Sequence, residues 1–196
     1  MLYTKVLEEL ENTKFSKNRS RKNVSGIPTK SFAMGEVNYR GQASLNYKTR
    51  GPSVYNAKFP ELYTLLQDFI KESQPDFEYT TIQVNKNVLC EPHVDKNNIG
   101  PSYGISLGDF TGGNLVIEGT PYDIHDIWAE FDGRLGHWVE PFEGTRYSLI
   151  YFTHTFKPPC ASLRKFTVTK DGMYERGVLI KSYLENNFKK WKKKIE

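Results

Sequence analysis

The sequence predicts an α+β chain that is mainly β: a double-stranded β-helix, or jelly-roll, core over about residues 77–154 with flanking helices. Two observations carry this. From Tyr103 to His154, short apolar or alternating segments follow one another between Gly-rich turns, the pattern of a sandwich or barrel. Aromatic residues make up 14% of the 196, with 12 Tyr and 12 Phe, a composition that leans toward sheet.

The elements follow in order. Leu2, Val6, Leu7 and Leu10 space a short helix over 2–11. Lys14 to Asn23 is basic and without periodicity, a solvated loop or an arm along a phosphate backbone. Tyr39 to Ser53 interleaves Arg, Lys and Tyr with Gly and Ser, which suits a surface loop as well as nucleic-acid contact. Leu62, Leu65, Leu66, Phe69 and Ile70 form one apolar stripe on a helix over 59–73, with Pro60 in its first turn. Phe77 to Val88 reads as a strand, with Tyr79, Thr81 and Gln83 alternating.

Further strands are expected at 103–107, 114–118, 127–131, 136–139 and 146–154. Turns are expected at 108–113 and 141–145. Residues 174–194 resume helical spacing and end in five lysines around Trp191, a solvated tail or a further nucleic-acid contact. The expectation is a single domain over 1–196.

Composition narrows the classes. Hydrophobic residues are 38% and charged residues 26%, ordinary for a soluble globular chain. A net charge of +4 does not by itself require a polyanionic partner. Cys90 and Cys160 have no zinc or disulfide spacing, so reduced intracellular thiols are expected. The N-terminus is not a signal peptide, and no apolar run is long enough to span a membrane. These points predict a soluble, intracellular monomer, nuclear in a eukaryote and cytoplasmic in a phage, virus or bacterium.

The chemistry centres on His93 and Asp95. Two residues apart on an extended segment, they point to one face. His137 follows several strands later. Two imidazoles and one carboxylate can occupy one face of a metal and leave the opposite positions open, the ligand set of non-haem Fe(II) oxygenases. Arg146 and Ser148 then share a strand face. A guanidinium fork with a hydroxyl suits the distal carboxylate of 2-oxoglutarate, whose keto-acid end would chelate the iron. Taken singly, each histidine reads as a hydrogen-bonded structural residue, Asp95 as a turn and Arg146 as a surface ion pair. Their order and spacing on a strand-rich chain favour the iron site. His125 reads as a turn residue.

The runs Asn85 to Val88, Pro92 to Ser102 and Leu107 to Leu115, with Gly136-His137 and Gly144 to His154, resemble the TET/JBP family of Fe(II)/2-oxoglutarate dioxygenases. The likeness covers roughly residues 30–155, about two-thirds of the chain. The metal and co-substrate motifs are common to all such dioxygenases. Lys96 to Ser102 and Gly108 to Gly113 point to this family. The resemblance implies Fe(II), 2-oxoglutarate and O2 as cofactor and co-substrates, and oxidation of the 5-methyl group of a pyrimidine in nucleic acid, with DNA favoured. It also implies three base-contacting positions: Asn98, three after the ligand Asp95, and Phe152 and His154, six and eight after Arg146. Phe152 would stack on an extruded base, while Asn98 and His154 read its pairing edge. Without the resemblance, Phe152 reads as a core aromatic and His154 as a strand-end surface residue.

Asn98 alone suits either 5-methylcytosine or thymine. TET-like members with Asn there act on 5-methylcytosine, which the resemblance therefore favours, with 5-hydroxymethylcytosine as product. Rival readings are a thymine hydroxylase in DNA, a protein side-chain hydroxylase of prolyl or lysyl type, an inactive nucleic-acid-binding module and a cupin-like metal isomerase. An inactive module has no reason to keep Arg146 beside a full ligand set. A cupin would want further His or Glu ligands, and only Glu91 is close in sequence.

Overall fold

A computed structural model of the chain describes residues 1–18, 22–39, 49–154, 167–169 and 173–175. Helix α1 (Leu2–Asn12), strand β1 (Lys17–Asn18), the short helix α2 (Lys22–Ser25), β2 (Thr29–Tyr39) and β3 (Thr49–Pro52) come first. Helices α3 (Val54–Lys58) and α4 (Pro60–Ser73) lead to β4 (Thr81–Lys86) and β5 (Asn98–Leu107). Short strands follow: β6 (Phe110–Gly112), β7 (Leu115–Ile117), β8 (Thr120–Tyr122), β9 (Ala129–Phe131), β10 (His137–Val139) and β11 (Phe142–Gly144). Strand β12 (Tyr147–His154) is followed by a hairpin of β13 (Thr167–Thr169) and β14 (Met173–Glu175).

The major sheet has the order β1-β2-β4-β12-β5-β9, with β3 paired to β2. Every one of these pairings is antiparallel. The smaller sheets are β10-β7-β8 and β11-β6, and β7 and β10 line one cavity with the major sheet. This is the mainly β jelly roll that the sequence predicts, with helices on its outside.

Side-chain alternation decides which face does what. Phe32 and Met34 of β2, Ile82 and Val84 of β4, Ile105 and Leu107 of β5, and Leu149 and Tyr151 of β12 are all buried in one cluster with Leu62, Leu66 and Ile70 of α4 and Val6 and Leu10 of α1. Residues between them on the same strands carry the opposite character: Ser31, Gln83, Asn85, Ser106 and Ser148. Period-two alternation therefore gives the major sheet one apolar face for the helices and a more polar face, from which Gln83, Asn85 and Ser148 line the interior cavity. Helix α4 starts with Pro60 at its first position, where the missing N–H costs nothing.

The Tyr151 hydroxyl, fully buried, donates to the Leu66 carbonyl at 2.9 Å and ties α4 to the sheet. Tyr151→Phe is expected to lower stability by about 0.5–1.5 kcal/mol, the net worth of one buried hydrogen bond, read as a shift in urea midpoint with unchanged slope.

Several expectations need correction. The strand read over 77–88 is confined to Thr81–Lys86. The turns read at 108–113 and 141–145 contain β6 and β11, which pair with each other. Their glycines hide the strands: Gly112 and Gly144 adopt φ of 75° and 98°, and a Cβ on Gly144 would lie 2.3 Å from the Asp109 carbonyl oxygen. Strand β2 lies in the major sheet, upstream of the core predicted to begin at residue 77. The loop read over 39–53 begins and ends in the paired strands β2 and β3. At the C-terminus, Met173–Glu175 is a strand where a helix over 174–194 was expected. The rest of that segment, with its lysine tail, lies outside the described residues, as do Cys160, Arg19 to Arg21 of the basic arm and 40–48 of the second basic loop. Among the described residues, no helix is long and apolar enough to cross a membrane.

Candidate metal centre and co-substrate cavity

His93 and His137 are joined through their backbones. Each amide donates to the other residue's carbonyl at 3.0 Å, an antiparallel bridge that brings two distant segments together. Asp95 is anchored by its amide, which donates to the Gly133 carbonyl at 2.8 Å. The ligand atoms of His93, Asp95 and His137 all lie within 4.8 Å of one another. Asp95 Oδ1 is 4.0 Å from His93 Nε2, and Oδ2 is 3.9 Å from His137 Nε2.

Backbone carbonyls fix the tautomers. His93 Nδ1 lies 2.6 Å from the Glu91 carbonyl and His137 Nδ1 lies 2.9 Å from the Leu135 carbonyl. A carbonyl only accepts, so each Nδ1 carries the proton. In the neutral ring the lone pair then sits on Nε2, toward the point that all three side chains share. Two neutral imidazoles and one carboxylate on one side of a point, with cavity on the other, fit a divalent metal with open positions.

These three side chains line a cavity of about 500 Å³ between the major sheet and strands β7 and β10. Arg146 lies in its wall, 2% exposed. Its Nε and Nη2 are buried and make no hydrogen bond among the described residues. Its guanidinium carbon sits 5.5 Å from the ring centroids of both Phe110 and Phe142. Burial lowers its pKa to about 10, far above neutrality, so it remains a cation. A buried charge with unused donors is costly unless an anion meets it. An anion entering this end of the cavity would offset that cost.

Gly113 makes the room. Its φ is 76°, and a Cβ there would come 3.0 Å from Arg146 Nε and 3.1 Å from Phe142 Cβ. Gly113→Ala is therefore expected to cost about 1–3 kcal/mol through backbone strain and to push the guanidinium aside. The check is a joint one: thermal stability falls, and 2-oxoglutarate binding weakens by more than the stability loss explains.

Every residue named from the sequence lines this cavity: His93, Asp95, His137, Arg146, Ser148, Asn98, Phe152 and His154. Even spacing places Arg146, just before β12, and Ser148, Phe152 and His154 on β12 along one face. A bulge helps. Between Tyr151 and Thr153 the pairing with β5 shifts register, and beyond it Asn98 stands opposite His154. Gly100, with φ 69°, and Pro101 lie in that irregular stretch. Asn98 is 7% exposed, and its Nδ2 is buried without a hydrogen-bond partner. Gly133 is the reason it fits: a Cβ there would lie 2.9 Å from Asn98 Nδ2. His125 stays out of the ligand set. It stacks on Phe110 at 4.0 Å, and its Nε2 lies 3.0 Å from the Gly108 carbonyl.

Gln83, Asn85 and Phe131 also line the cavity and were not singled out by sequence. Gln83 and Asn85 alternate with buried Ile82 and Val84, so their inward direction was legible, but nothing marked them among many polar strand residues.

No family model matches the chain, and no curated protein matches it. Solved structures do. One, described as NgTET1 in complex with 5mC DNA, is 15% identical over 78% of this chain and 69% of that one, with a TM-score of 0.50. Another is an oxidoreductase of the 2OG-Fe(II) oxygenase family from Burkholderia pseudomallei, 16% identical over 76% of each chain, with a TM-score of 0.47. The likeness to NgTET1 establishes the fold. The chain is a jelly-roll protein with a His-Asp-His cluster able to hold a metal ion inside the roll.

Proposed function

We propose that the chain is an Fe(II)/2-oxoglutarate-dependent dioxygenase that oxidises the 5-methyl group of a pyrimidine in nucleic acid, 5-methylcytosine in DNA above all. The observation that carries the oxygenase reading is Arg146: a buried cation with two unused donors in the same cavity as the metal-competent cluster. His93, Asp95 and His137 hold the metal through two Nε2 atoms and a carboxylate, and Arg146 with Ser148 holds the distal carboxylate of 2-oxoglutarate. With O2, bound Fe(II) and 2-oxoglutarate supply a C–H oxidation that yields succinate and CO2.

The chain's own residues position and exclude. The tautomers of both histidines are set by backbone carbonyls, so each neutral ring presents Nε2 to the metal. Leu115, Ile124, Phe131 and Ile150 give the cavity an apolar wall that keeps water scarce. An extruded base enters past Phe152, which offers a stacking face, while Asn98 and His154 reach its pairing edge. Asn98 offers both a donor and an acceptor, so His154 shares the choice of base. Lys14 and Lys17, in the described part of the N-terminal basic arm, are exposed and available to phosphates. The active unit is a monomer.

The likeness to a structure holding 5mC DNA supports this reading of the substrate. The test is mass spectrometry of nucleosides and peptides after incubation with Fe(II), 2-oxoglutarate and oligonucleotides that carry 5-methylcytosine or thymine at one matched position. Conversion of 5-methylcytosine to 5-hydroxymethylcytosine supports the proposal. Equal or greater conversion of thymine overturns the base, and hydroxylated peptide without modified base overturns the nucleic-acid substrate.

A further inference from the structure

Strand β4 lies beside β12 with Asn85 directly opposite Ser148. Gln83 Nε2 donates one N–H to the Phe32 carbonyl at 3.0 Å and shares the other between the Val84 carbonyl, at 3.3 Å, and the Asn85 side chain. Backbone carbonyls cannot donate, so this end of the Gln83 amide has to be the nitrogen. The same Nε2 lies 3.1 Å from Asn85 Oδ1. Facing a donor, that atom of Asn85 has to be its oxygen, which leaves the Asn85 nitrogen pointing at Ser148 Oγ, 3.0 Å away. An amide flip, normally a matter of assignment, is here decided by two main-chain carbonyls. Ser148 Oγ therefore accepts from Asn85, and its own proton is left for the cavity that it lines beside Arg146.

We infer that Gln83 and Asn85 are positioning residues that polarise Ser148 as an outward donor, so that its hydroxyl joins the Arg146 guanidinium in selecting a carboxylate at that end of the cavity. This rests on the proposed 2-oxoglutarate site. Direction matters in the chain Gln83 to Asn85 to Ser148. Were Asn85 to accept from Ser148, the hydroxyl proton would be spent inside the protein and its lone pairs would face the incoming carboxylate. A ring of donors aligned this way binds an anion without reorganising on arrival.

The experiment measures binding of 2-oxoglutarate, and separately of 2-oxobutyrate, to the Mn(II)-loaded chain by calorimetry. The second probe keeps the keto-acid end and lacks the distal carboxylate. Asn85→Ala is expected to weaken 2-oxoglutarate several-fold. Asn85→Asp, nearly isosteric, turns the contact round and adds a negative charge, so it should weaken 2-oxoglutarate on the order of a hundredfold. Both variants should leave 2-oxobutyrate binding within about twofold, a selectivity that general misfolding would not produce. In a Ser148→Ala background, Asn85→Ala should have no further effect, because the residue acts through that hydroxyl. If wild type binds 2-oxoglutarate and the two Asn85 variants weaken it equally, or the effects of Ser148→Ala and Asn85→Ala multiply, the inference is overturned while the co-substrate site stands. If wild type binds 2-oxoglutarate no better than 2-oxobutyrate, the site reading itself fails, and the inference with it.

Discussion

Asp95→Ala is expected to remove metal binding and 2-oxoglutarate turnover together, lowering succinate formation by at least about a thousandfold. The carboxylate is the only anionic member of the cluster, and it lies about equally far from both histidines, at 4.0 and 3.9 Å. Without it, two neutral imidazoles face a divalent ion and nothing offsets its charge. The fold should tolerate the change. The carboxylate is more than a third exposed, and the strand-like segment is held by main-chain bonds from Asp95 to Gly133 and from His93 to His137. The check is metal content after reconstitution, with succinate and thermal stability measured on the same sample. Loss of metal with an unchanged melting temperature is the expected pair. Full turnover in a variant stripped and reloaded with Fe(II) would remove Asp95 from the centre.

Arg146→Met should separate stability from function. In the wild type, a guanidinium lies between Phe110 and Phe142, nine-tenths buried or more, with Nε and Nη2 unused. Replacing a buried, uncompensated charge by an apolar side chain of similar length is neutral or stabilising, by about 1–4 kcal/mol in comparable cases. The ligand-free chain is therefore expected to be as stable as wild type or more so. Affinity for 2-oxoglutarate should fall by roughly 2–4 kcal/mol, since a carboxylate would then be buried against an apolar side chain. A thermal titration shows both at once. Wild type should gain about 2.7 kcal/mol at a hundred times its dissociation constant, and the variant should gain almost nothing at the same concentration. A variant that is destabilised yet still binds would mean that Arg146 serves the fold.

The site was more legible than the fold around it. His93, Asp95, His137, Arg146 and Ser148 were marked by chemistry that few other arrangements need, and period-two alternation then placed Phe152 and His154 on the same inner face. Strand β2 carries a weak sequence signal because the face opposite Phe32 and Met34 is made of the small residues Ser31 and Ala33, and Gly35 at φ 83° breaks the pattern. Phe32 and Met34 alternate correctly, but Gly35 and Glu36 separate them from Val37, too short a run to be read as a strand. Strands β6 and β11 were read as turns because their glycines permit close backbone approach, which in sequence looks the same as a bend. The roles of Gln83 and Asn85 depend on which strand lies next to β4, and pairing between residues more than sixty positions apart leaves no local mark. The bulge that sets Asn98 opposite His154 is likewise a property of two strands.

The central claim is that one cavity couples 2-oxoglutarate to oxidation of a pyrimidine methyl group. The most direct measurement counts succinate and 5-hydroxymethylcytosine in the same reaction, with the chain, Fe(II), 2-oxoglutarate, O2 and an oligonucleotide carrying 5-methylcytosine. The expected result is that both products appear together and both vanish when 2-oxoglutarate is withheld or Asp95 is replaced by Ala. An unchanged 5-methylcytosine with no succinate above the Asp95→Ala background, in a chain shown to have taken up iron, would contradict it.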